Sequence, residues 1–77
     1  MKQQRPTVLR RVASHEVMLP SGESLSMEVV EIAEGRVVRH YPLSGEPAST
    51  EWLPGQIVLK HGAGGYETAY YQEKPLT

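Results

Sequence analysis

Beyond its first seven residues the chain alternates between runs rich in β-branched and aliphatic side chains and short Gly/Pro punctuation. That is the pattern of strands joined by turns. The first run, Val8 to Leu19, ends at Pro20-Ser21-Gly22-Glu23, where proline presets φ and glycine accepts a positive value. In the second, Ser24 to Ala33, Leu25, Met27 and Val29 share one face by period-two alternation, and Val30 and Ile32 fall on the other. Either a bulge switches the pleat near Val29-Val30 or both faces are covered there. Leu25, Val29 and Ile32 also fit helical spacing, but adjacent valines, an isoleucine and flanking glycine turns favour the strand.

Glu34-Gly35 reads as a two-residue hairpin loop leading into Arg36-Val37-Val38-Arg39-His40-Tyr41. This register sets Ile32 opposite Val37, Val30 opposite Arg39 and Glu28 opposite Tyr41, and it allows a Glu28–Arg39 contact. Pro42 to Thr50 is a polar connection, and its two prolines exclude a central strand. Ser49 to Leu53 fits one helical turn capped by Ser49, and Pro54-Gly55 suits a type II turn. Gln56 to Lys60 and Tyr66 to Tyr71 are the last strands, separated by the glycine loop 61–65.

The elements predict an all-β fold of about five antiparallel strands in meander order. Such a sheet curls into a small SH3-like or OB-like half-open barrel, or stays open and dimerises. The expected core is Val12, Val17, Leu19, Leu25, Met27, Val29, Ile32, Val38, Trp52, Leu53, Ile57 and Leu59. Residues 1–7 form a flexible basic arm, 8–72 the single β domain and 73–77 a flexible tail.

At 77 residues there is room for one domain with a thin stability margin, which dimerisation would widen. No cysteine is present to supply a disulfide or a thiolate metal site. No apolar run approaches a membrane span and no signal-peptide pattern opens the chain, so a soluble cytoplasmic protein is expected. The net charge of −1 hides an asymmetry: Lys2, Arg5, Arg10 and Arg11 precede any acid, whereas the remainder sets four Lys/Arg against nine Glu. A basic arm on an acidic body gives weak, salt-sensitive attraction to nucleic acid, with Arg5, Arg10 and Arg11 as the contacts. A solvated terminus is the plainer reading.

The loop glycines Gly62, Gly64 and Gly65 precede Tyr66 and a strand, so neither a phosphate-binding loop nor a dinucleotide fingerprint is completed. His15, His40 and His61 have no i, i+2 or i, i+4 partner and no cysteine, and no metal site is expected. The Gly-x-Ser-x-Gly elbow is missing, and no catalytic residue, cofactor or small-molecule substrate is indicated. Every aromatic ring carries a polar tip, since phenylalanine is absent. Tyr41, Trp52, Tyr66 and Tyr71 are therefore candidates for a surface patch that meets a protein partner or a second copy of the chain. The same exposed tyrosines serve the alternative, a weak nucleic-acid binder.

At His15-Glu16-Val17-Met18-Leu19-Pro20-Ser21-Gly22, Glu34-Gly35-Arg36-Val37-Val38-Arg39-His40-Tyr41-Pro42-Leu43 and Glu51-Trp52-Leu53-Pro54-Gly55, the chain resembles short uncharacterised proteins of Bacteroides-type gut bacteria. The resemblance spans about residues 8–60 and implies no particular activity. The Gly-Arg-Val-Val and Leu-Pro-Gly pieces are also similar to the small β domain flanking amidohydrolase barrels. The barrel and its paired metal histidines are missing from this sequence, so that activity does not carry over. The residues favour a small non-catalytic β domain acting as a protein-interaction module.

Overall fold

The structure, a computed structural model, describes residues 9–45 and 49–77. Seven strands follow in order: β1 (Leu9–Met18), β2 (Ser24–Ala33), β3 (Arg36–Pro42), β4 (Thr50–Trp52), β5 (Gln56–His61), β6 (Glu67–Tyr71) and β7 (Lys74–Pro75), with one 3₁₀ turn at Ala63–Gly65. The arm at residues 1–7 lies outside the described residues.

The all-β expectation holds, and the sheet does curl into a small barrel. The barrel is closed and mixed, running β1-β2-β3-β6-β5 and back to β1, with β4 beside β1 and β7 beside β6. The antiparallel meander breaks at one place. β4 and β5 both run parallel to β1, pairing Arg11 to Ala13 with Thr50 to Trp52 and Glu16 to Met18 with Gln56 to Val58. They behave as one strand interrupted by Leu53-Pro54-Gly55, with three residues set against Ser14 and His15. Pro54-Gly55 is thus a bulge in a continuing strand, although Gly55 has the expected positive φ of 105°. The Gly55 carbonyl accepts both the Ser14 hydroxyl at 2.8 Å and the Glu16 amide at 3.2 Å, and the Leu53 amide donates to the Ala13 carbonyl. Pairing to β1 also overrides the helical turn expected at 49–53: Ser49 adopts φ 54° and Thr50–Trp52 are extended.

Both anticipated hairpin turns form. Glu34 and Gly35 have φ of 55° and 78°, as a type I′ loop requires. The Leu19 carbonyl accepts the Gly22 amide and the Leu19 amide donates to the Glu23 carbonyl, closing the turn at Pro20. Register then departs from expectation by one residue. Ile32 faces Val37, but Glu31 faces Arg39, which leaves Val38 as an extra residue in β3. Val30 consequently meets His40 and Glu28 meets Pro42. The bulge sits in β3, while in β2 both faces are covered and Glu28 to Ala33 are all buried.

The core gathers Val12, Val17, Val30, Ile32, Ile57, Leu59, Ala69 and Leu76, with Leu19, Val37, Leu53 and Tyr71 partly buried against it. Even-numbered Val12 and odd-numbered Val17 both reach it, so β1 turns its pleat between them, opposite Met27 with its φ of 53°. Three expected core residues point outward: Met27 at 42%, Val38 at 53% and Trp52 at 43% exposure. Met27 lies at the pleat switch, Val38 is the bulge residue and Trp52 belongs to a strand outside the ring. Within residues 73–77, expected as a flexible tail, Lys74–Pro75 form β7. Lys74 pairs with Tyr71, the Leu76 amide donates to the Ala69 carbonyl, and the Leu76 side chain is buried.

Candidate functional site

Ile57, Leu59 and Ala69 face the core, so alternation turns Val58, Lys60 and Tyr70 to the outer surface of β5 and β6. Cross-strand pairing joins Met18 to Val58, Val58 to Tyr70 and Tyr70 to Pro75, giving one continuous apolar row across β1, β5, β6 and β7. Two depressions flank this row. The larger, an open groove of about 760 Å³, has Pro54, Gln56, Tyr70, Tyr71 and Glu73 on its walls. The smaller, about 290 Å³, is bounded by Met18, Leu19, Pro20 and His61. Val58 and Lys60 line both.

The walls are held in place. The Tyr71 hydroxyl donates to the Pro54 carbonyl at 2.6 Å while its ring rests against the core. Lys60 Nζ lies 5.0 Å from the Tyr70 ring centroid, in cation–π contact. No carboxylate among the described residues lies within ion-pair distance of Lys60. The rim is the Gln72-Glu73 turn between β6 and β7, where both residues have positive φ, 53° and 68°. Neither is the Asn or Gly that such a turn favours, so the rim carries local backbone strain. At the opposite edge, Glu16 accepts from Gln56 Nε2 at 3.2 Å and from the Ser24 hydroxyl.

The four aromatics expected in a patch do not form one cluster. Tyr71 lines the groove. Tyr66 lies under the Arg36 guanidinium, 4.6 Å from ring centroid to Cζ. Trp52 packs edge-on to His15 at 4.7 Å, on the far side of Ala13 and Val29 from Tyr41. Tyr70 is the groove aromatic that sequence reasoning left out. Its signal was the alternation Val58, Lys60 on β5, which fixes the facing residue once pairing is known.

The expected nucleic-acid contacts Arg10 and Arg11 hold carboxylates. Arg10 Nε is 2.7 Å from Glu51, and Arg11 Nε is 2.8 Å from Glu31. Glu31 is buried on the outer face of the barrel and also takes Arg39 Nε at 2.6 Å and the Tyr41 hydroxyl at 2.7 Å. The Tyr41 and Arg11 hydrogen bonds hold its pKa down to about 2, against the opposing effect of burial. The same carboxylate raises the pKa of Tyr41 and Arg11, and Arg10 lowers that of Glu51. Arg39 therefore reaches Glu31 instead of the anticipated Glu28, and His40 Nδ1 meets Glu28 at 2.9 Å. The Val38 bulge causes this exchange by shifting β3 one residue along β2. Neither His40 nor Glu28 lines the groove. Among the described residues no three His, Cys, Asp or Glu side chains gather as a metal site, and no helix there is long and apolar enough to cross a membrane.

Fold and groove together define a small mixed β barrel with an aromatic-walled surface channel. No family model, curated protein or solved structure matches the chain.

Proposed function

We propose that this chain is a non-catalytic, cofactor-free protein-interaction module of the cytoplasm, engaging another protein or a second copy of itself through the outer face of β5 and β6. One observation carries the reading: the apolar row Met18–Val58–Tyr70–Pro75 runs between two depressions that share Val58 and Lys60. A concave surface that sets aromatic and proline faces beside a few charged and amide groups is a form that recognition sites take. The nucleic-acid alternative has less support, because Arg10 and Arg11 hold Glu51 and Glu31 while Glu73 borders the groove.

The test is selection of binders from a random displayed peptide library, followed by amide-shift mapping on the labelled full chain. Selected peptides should perturb residues 56–60 and 68–73 and lose binding in Val58→Glu with the far-UV spectrum unchanged. A shift map centred elsewhere, or no binder at all, overturns the proposal.

A further inference from the structure

The interaction reading leaves the chemistry of the ligand open, and the groove constrains it. Its apolar walls include Pro54, Tyr70 and Tyr71, the two tyrosine rings having little conformational entropy to lose and one of them pinned by a hydroxyl–carbonyl bond. Rigid aromatic and proline surfaces with a concavity between them suit a ligand that is itself extended and pre-organised. The row from Met18 to Pro75 crosses three inter-strand steps, about 14 Å, or about four to five residues of polyproline-type chain.

Charge narrows the choice. Lys60 stands where the two depressions meet, with no carboxylate among the described residues in ion-pair reach, so a single anionic side chain is matched there. A polyanion is not, since Glu73 forms the rim and Glu16 lies against Gln56. A second copy presenting the same face would set concavity against concavity and leave the groove unfilled.

We propose, resting on the interaction-module reading, that the groove takes an extended, proline-containing segment of a partner protein, with apolar residues against Tyr70, Tyr71 and Pro54 and an acidic residue at Lys60. The probes are a short labelled peptide with two adjacent prolines and one glutamate, its twin with lysine replacing the glutamate, and a glycine-serine peptide carrying the same glutamate. Each is titrated by fluorescence anisotropy into the full chain and into Lys60→Glu.

The acidic proline peptide should bind best, with amide shifts at residues 56–60 and 68–73. In Lys60→Glu the order of the two proline peptides should invert, each affinity moving by about tenfold. Equal binding of the three peptides, or an unchanged order in Lys60→Glu, overturns this ligand assignment. If library-selected peptides of other composition still map to the groove, the interaction reading survives that failure; if none maps there, both fall. Groove shifts that depend on protein concentration alone overturn it in favour of a second copy. Single-stranded oligonucleotide binding that Lys60→Glu abolishes overturns it in favour of nucleic acid.

Discussion

Glu31 is a carboxylate buried on the outside of a barrel, and its three partners come from two neighbouring strands: Arg11 from β1, and Arg39 and Tyr41 from β3. Buried ion pairs add little net stability over an apolar replacement, but removing one partner from a satisfied set is costly. The cluster therefore acts as a clasp that fixes β3 beside β2 next to the Val38 bulge. Because the Glu31 pKa falls from 4.5 to about 2 on folding, its contribution is fully present above pH 4.5 and is lost as pH drops toward 2. Glu31→Gln should cost about 1–3 kcal/mol at pH 7 and flatten stability across that acid window, as read from urea unfolding at a series of pH values. Glu51, whose pKa is also lowered, sits in a half-exposed pair with Arg10 where solvent screens the interaction. Glu51→Gln should leave the acid limb nearly unchanged in the same titration.

β1 is the spine of the fold: β2 lies along one side, and β4 then β5 along the other. β7 plays a smaller part of the same kind, since its two residues carry Leu76 into the core beside Ala69. Leu76→Ala should cost about 2–4 kcal/mol by opening a cavity there, measured as a shift of the denaturant midpoint at constant m-value. The turns at Pro20-Ser21-Gly22 and Glu34-Gly35 were legible because glycine and proline mark them locally, and so were the five long strands. The parallel placement of β5 was not, since nothing in Gln56 to Lys60 records which strand it will meet. The Val38 bulge was equally hidden: two adjacent valines read the same whichever of them is buried. Leu76, alone between Pro75 and Thr77, lacked the periodicity that would mark a core residue. The groove escaped in part because Tyr71 and Pro54 are linked only by tertiary contact.

At the scale of the molecule, the ring closes through contacts distant in sequence, Val17 with Ile57 in parallel and Val37 with Glu67 as the one register pair between β3 and β6. Loop closure must precede such contacts, so refolding should be single-exponential and take milliseconds to seconds, as stopped-flow Trp52 fluorescence would record. A lifetime in microseconds would contradict closure as the slow step. Closure also decides what kind of recognition the molecule supports. Among the described residues, backbone with a strand neighbour on one side only includes β4, with Glu51 at its centre, β7, ending in Pro75, β3 beyond Val37, the Ser24–Ser26 start of β2 and the Leu59–His61 end of β5. Short, charged, proline-ended stretches are poor templates for an added strand. With unpaired main chain in such short stretches, partner choice under the proposed function falls to the shapes and charges of side chains, and two molecules meeting at high concentration have little backbone through which to polymerise.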